Sequence, residues 1–129
     1  MTDLGLSGKC LQSMELEYTL VLQLSDVYFI SISSPFTLEI DGENTLLSPE
    51  EDSEDGFGPI HGLVGRAVVD ADVDAGGALR VTFQGGARLR VGPDPDYEAW
   101  NVSGPNGALV VSMPGGEIAV WSQQPGVEG

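Results

Sequence analysis

Between Leu79 and Val91 apolar and polar residues alternate on both sides of a Gly-Gly pair, a pattern that admits little except an antiparallel hairpin. Leu79, Val81 and Phe83 point one way, and Arg80, Thr82 and Gln84 point the other. Ala87, Leu89 and Val91 then alternate with Arg88 and Arg90. A two-residue Gly85-Gly86 loop sets Phe83 against Arg88 on one face and mixes core with surface. A three-residue loop, Gln84-Gly85-Gly86, pairs Phe83 with Ala87, Val81 with Leu89 and Arg80 with Arg90. It keeps the faces clean and puts Gly86 where a left-handed residue is wanted. The three-residue register is the one expected.

The same punctuation runs along the chain. Residues 97–121 read as three short strands joined by tight turns at Gly104–Gly107 and Pro114–Gly116, with Trp100 and Trp121 in the outer two. Upstream, Lys9–Leu16 reads as a first strand. Leu20, Leu22 and Leu24 share a face, as do Tyr28, Ile30 and Ile32 with Ser31 and Ser33 opposite. Ser34-Pro35 breaks the ladder before a short strand, Phe36–Ile40, that ends at Asp41-Gly42. Residues 41–56 then hold seven acids (Asp41, Glu43, Glu50, Glu51, Asp52, Glu54, Asp55) and no base. Ser48-Pro49 has the chemistry to cap one helical turn, but mutual repulsion without an apolar face predicts a mobile acidic loop. From Arg66 to Val73 alternation places Asp70, Asp72 and Asp74 on the wet face and Val69, Ala71 and Val73 inward.

Two stretches resemble each other. Leu6-Ser7-Gly8-Lys9 stands against Leu63-Val64-Gly65-Arg66, and Leu20, Leu22, Leu24, Ile30 and Ile32 fall against Leu79, Val81, Phe83, Leu89 and Val91 at a constant offset. Leu38-Glu39-Ile40-Asp41-Gly42 is similar to Ala99-Trp100-Asn101-Val102-Ser103-Gly104. One departure is that Val27 stands where Gly86 stands, so the first hairpin is expected to turn differently. The expected architecture is a single all-β domain, 1–129, with little or no helix. Two related antiparallel units, 4–42 and 61–121, pack as a sandwich or open barrel, joined by an acidic loop, 43–58, and followed by a tail, 122–129. Packing two units buries the face each leaves bare. Eighteen glycines and eight prolines supply the turns.

A formal charge of −15, from twenty acids and five bases, opposes binding to nucleic acid and to anionic membrane surfaces, both of which need cationic groups. It favours a basic partner, whose encounter attraction would speed. No apolar run reaches the ~20 residues that cross a bilayer. The start, Met1-Thr2-Asp3-Leu4-Gly5, lacks a secretory pattern, and a single cysteine, Cys10, suits a reducing cytoplasm.

Catalytic and metal signatures fall short. Asp70-Ala71-Asp72-Val73-Asp74-Ala75-Gly76 suggests a calcium loop, but the sixth and twelfth positions hold Ala75 and Val81 instead of glycine and glutamate. The one histidine, His61, reads as a turn residue, and a zinc site from one histidine and one cysteine would need carboxylates to complete it. No nucleophile elbow, zinc-protease pair or phosphate-cradling loop occurs. Asp94-Pro95-Asp96-Tyr97-Glu98 gathers carboxylates that can serve acid–base hydrolysis, though it is also ordinary turn chemistry. Arg66, Arg80, Arg88 and Arg90 are expected to pair with nearby acids.

The run from Asp94 to Trp100, the turn Gly104-Pro105-Asn106-Gly107 and the stretch Ser112–Trp121 resemble a family of small uncharacterised actinobacterial proteins. His61-Gly62-Leu63-Val64-Gly65 and the Ser34-Pro35-Phe36 break are similar to it too. The resemblance brings no catalytic residues with it. Small acidic β-proteins of this look also resemble immunity proteins that neutralise polymorphic toxins, by analogy alone. The leading expectation is therefore a non-enzymatic, cofactor-free and metal-free binding protein that masks a basic toxin or enzyme. Glu50, Glu51, Asp52, Glu54, Asp55, Asp70, Asp72 and Asp74 would steer, and Tyr97 or Trp100 would anchor, although core or rim packing is the plainer reading of Trp100 and Trp121. The alternatives are a small-ligand-binding β-module with an apolar pocket between the units, and a hydrolase using Asp94, Asp96 or Glu98.

Overall fold

Tight turns at Gln84-Gly85-Gly86 and at Pro114–Gly116 stand where the alternation marks them, and the strands follow from such turns. The computed structural model describes residues 6–17, 19–49, 54–104 and 109–121. Among these residues it forms eleven strands: β1 (Leu11–Leu16), β2 (Leu20–Leu24), β3 (Tyr28–Ile32), β4 (Phe36–Ile40), β5 (Glu43–Leu47), β6 (Val68–Val73), β7 (Leu79–Phe83), β8 (Arg88–Val91), β9 (Trp100–Ser103), β10 (Leu109–Ser112) and β11 (Ile118–Trp121). Helix is confined to 3-10 turns and to one four-residue element, α1 (Gly58–His61). The strands make two antiparallel sheets, in the orders β1-β2-β3-β9-β10-β11 and β5-β4-β8-β7-β6. Alternate residues of both sheets meet in one apolar cluster that includes Leu22, Ile30, Leu38, Val81, Leu89 and Val102. The result is a sandwich. The two sheets do not close into a barrel, and β5 and β11 are free edges among the described residues.

Each half of the chain starts in one sheet and ends in the other. β1–β3 lie in the first sheet and β4–β5 in the second, while β6–β8 lie in the second and β9–β11 in the first. The crossover strands pair alike: Ile30 faces Val102 between β3 and β9, and Leu89 faces Leu38 between β8 and β4. Where the halves meet, Cys10 bridges Ala67. The Gly8 amide donates to Val68 O at 2.8 Å and the Gly65 amide to Leu11 O at 2.7 Å; Leu11 N reaches Arg66 O and Val68 N reaches Lys9 O. Leu6-Ser7-Gly8-Lys9 and Leu63-Val64-Gly65-Arg66 thus occupy matching places. The parallel lies in strand order and register and does not confirm the repeat expected from the sequence. It does not reproduce the match expected between Leu38–Gly42 and Ala99–Gly104, because register equates Phe36 with Trp100 and Leu38 with Val102.

The Gln84-Gly85-Gly86 hairpin has the expected register, with Val81 opposite Leu89, Arg80 opposite Arg90, and Gly86 at φ 99°. The first hairpin corrects an expectation. Leu24 faces Tyr28 across the same three-residue loop, so Asp26 and Val27 adopt the left-handed conformations that Gly85 and Gly86 hold in the second. Val69 is a second correction. The register slips between Val68 and Asp70, a bulge that turns Val68 into the core and Val69 to solvent. β1 slips at the matching place, between Leu11 and Ser13.

The segment 43–58 is not a loop throughout. Asp41 and Gly42, both at positive φ, form a two-residue turn that folds β5 back onto β4, with Ile40 facing Glu43 and Phe36 facing Leu47. Four of the five β5 residues are exposed, which hides the strand from alternation. Leu47, Phe57 and Ile60 give the segment the apolar anchors its charge obscures, and Phe57 packs on Phe36 with ring centroids 6.0 Å apart. The helical turn lies at Gly58–His61, with Pro59 in its first turn, downstream of Ser48-Pro49. The middle of the acidic run, 50–53, lies outside the described residues, as do most of the Gly104–Gly107 turn and the tail from 122.

Candidate functional site

The two crossovers, 33–35 and 92–99, run side by side because β3 pairs with β9. Ser33 N donates to Ala99 O at 2.8 Å, and Ser34 N reaches the same oxygen. Prolines end both ladders, Pro35 in one and Pro93 and Pro95 in the other, so the backbone leaves each sheet where it switches to its partner. Between the crossovers and the β10–β11 turn lies a groove of about 830 Å3.

Asp94 organises its floor. Oδ1 accepts from the amides of Asp96 (2.8 Å) and Tyr97 (3.1 Å), Oδ2 accepts from Ser34 Oγ at 3.4 Å, and the Asp94 carbonyl accepts from Gly115 N. With both carboxylate oxygens engaged, Asp94 acts as a loop scaffold. The loop it holds delivers Tyr97, Asp96 and Glu98 to the groove, beside the hydroxyls of Thr19 and Ser33. Tyr97 is 70% exposed. An exposed ring beside two carboxylates is chemistry suited to a cationic side chain, which a ring face and an acid hold together.

Trp100, three residues on, corrects the expectation of a surface anchor. It is 1% exposed on β9, in the middle of the first sheet, and its Nε1 donates to Gly77 O at 3.3 Å. The turn that accepts this bond is packed tightly, since a Cβ on Gly77 would stand 2.6 Å from Gly116 O. Ser112, whose Oγ is buried without a partner among the described residues, lies one step past the β9–β10 pairs, where Leu47 stands in the other half.

The expected steering acids divide. Glu50, Glu51 and Asp52 lie outside the described residues. Glu54 and Asp55 open a 3-10 turn, and their side chains lie outside what is described. Asp70 is exposed, but Asp72 and Asp74 are committed to neighbours within the protein. Arg80 grips Asp72 with two bonds, Nε–Oδ1 at 3.0 Å and Nη2–Oδ2 at 3.1 Å. Asp74 Oδ1 accepts from the amides of Gly76 (2.9 Å) and Ala78 (3.0 Å), and its Oδ2 lies 3.5 Å from Arg90. The Ala78 amide, with the Gly76 amide and the nearby Arg90 and Arg80, holds Asp74 below the usual carboxylate range against the opposing cost of desolvation. The Asp72 carboxylate bonded to Arg80 raises that guanidinium still further above its ordinary value.

These pairs belong to the outer face of the second sheet. Register lays two rows across its five strands. One is Asn44, Glu39, Arg88, Thr82 and Asp70; the other is Leu46, Thr37, Arg90, Arg80 and Asp72. A cavity of about 670 Å3 lies over them. The alternation of 79–91 already implied that Arg80 faces Arg90. The docking of β4 against β8, which adds Thr37 and Glu39, had no local signal.

His61 is exposed at the end of α1, and Cys10 is a half-buried free thiol. Among the described residues no three potential ligands gather as a metal site, and no helix is long and apolar enough to cross a membrane. No curated protein and no solved structure matches the chain. Residues 2–122 match the model of the "Family of unknown function (DUF6188)", and the chain belongs to that family.

Proposed function

We propose that this protein is a non-enzymatic binding protein that masks a basic protein partner, a toxin or enzyme, in the manner of an immunity protein. The observation that carries the reading is Tyr97, exposed at the crossover groove with Asp96 and Glu98 beside it, in a chain of net charge −15. A partner's lysine or arginine would lie on the ring and pair with the carboxylates, while the net charge steers the encounter. Trp100 has no place in this contact, and Asp72 and Asp74 contribute little because arginines already neutralise them. A small-ligand module is the alternative; among the described residues, side chains of both sheets meet between them in one apolar cluster.

The test is capture of partners from host lysate at about 50 mM and about 500 mM salt, across which screening lengths shrink severalfold. The expected result is one cationic protein retained at low salt and released at high salt. Retention of neutral or acidic proteins, indifferent to salt, would overturn the reading.

A further inference from the structure

Three of the chain's five basic residues stand on adjacent strands of one sheet face, although twenty acids surround them in sequence. They are not equivalent. Arg80 is chelated by Asp72 at charge-assisted distances. Arg90 approaches Asp74 no closer than 3.5 Å, and Arg88 approaches Glu39 no closer than 3.9 Å, well beyond the ~2.8 Å of a strong charged hydrogen bond. Their side chains remain 60% and 67% exposed. Arg80 and Arg90 are direct cross-strand neighbours, a like-charge placement that destabilises a sheet unless something neutralises it. Beside the two loosely held guanidiniums, Thr37 faces Arg90 and Thr82 faces Arg88. Both threonines line the same cavity, and neither hydroxyl has a partner among the described residues.

We propose that Arg88 and Arg90, with the hydroxyls of Thr37 and Thr82, form a site for a small oxyanion, a molecule carrying a carboxylate or phosphate group. The planar guanidinium forks match either group bidentately. At about 670 Å3 the cavity has the size of a small-molecule site. Its borders select for compactness: Glu39 on one side and Asp70 on the other repel any polyanion that extends past the two central strands. The site is independent of the crossover groove and uses none of its residues.

The experiment titrates the intact protein with inorganic phosphate and, separately, with citrate at low ionic strength, following the Arg88 and Arg90 Nε–Hε resonances by NMR. Saturable shifts at these two groups are expected with at least one anion, and which anion acts names the class. The Arg88→Gln/Arg90→Gln variant should bind at least tenfold more weakly, while Arg66→Gln, altered away from this face, should bind as the wild type does. Absence of saturation with both anions up to about 20 mM, a range that covers even weak millimolar sites, would overturn the proposal. So would equal affinity in the double variant. The wild-type titration decides the matter even if that variant proves unstable.

Discussion

The backbone of Val27 is held at a φ of 66° at the tip of the β2–β3 hairpin, where its side chain is 63% exposed. A β-branched residue there pays about 1–2 kcal/mol in steric strain, which the glycine at the matching position of the β7–β8 hairpin avoids. Lys9 helps to hold the strained loop, bonding Asp26 at 2.7 Å with its ammonium 5.2 Å from the Tyr28 ring centroid. Val27→Gly is therefore expected to stabilise the fold by about 0.5–1 kcal/mol in urea denaturation, part of the relief being offset by the added freedom of the unfolded chain. Gly77 presents the opposite case. It combines a φ of 90° with a Cβ site 2.6 Å from Gly116 O, and its carbonyl accepts the Trp100 bond. Gly77→Ala should cost about 3 kcal/mol by the same measurement, from strain and overpacking together.

At the scale of elements, Asp74 ties the β6–β7 turn together and links it to β8. Its folded pKa lies below the ordinary 3.8, so the folded state binds fewer protons than the unfolded state near that value. The stabilisation is fully present above the ordinary value and disappears as pH falls through it toward the folded one. Asp74→Asn keeps an oxygen for the Gly76 and Ala78 amides but loses the charge. The melting-temperature gap between wild type and variant should be open at neutral pH and should narrow as pH falls below the ordinary carboxylate value. A gap independent of pH would contradict this role. The elements legible in the sequence were those with one clean buried face: β2, β3, β7 and β8 alternate without interruption, and the Gly85-Gly86 turn fixed its register. β5 is hidden because its exposure does not alternate, and Val69 departs from the expected face because a bulge breaks period two. The first hairpin departs from the expected turn because strain is tolerated there at a position where glycine would be easier. Trp100 and Tyr97 lie three residues apart, one in the core and one in solvent, and only the pairing of β9 between β3 and β10 separates them.

For the whole molecule, sheet exchange does the positioning. Because each half crosses from one sheet to the other, the proline-bearing crossovers converge at one end, far apart in sequence and adjacent in space. Neither Ser33-Ser34-Pro35 nor Asp94-Pro95-Asp96 signals this alone, since each reads as a local break. The convergence lets Asp94 anchor the loop that presents Tyr97, Asp96 and Glu98, and the net charge of −15 gives that surface a long-range attraction for cations. The most direct test compares capture of a cationic partner at low salt by the wild type and by Tyr97→Ala/Asp96→Asn/Glu98→Gln, with melting temperatures measured alongside. If the crossover groove is the binding face, the variant should melt near the wild type and hold the partner at least about tenfold more weakly, as loss of a central aromatic anchor does. Equal retention by both proteins would contradict the assignment of function to this end of the sandwich.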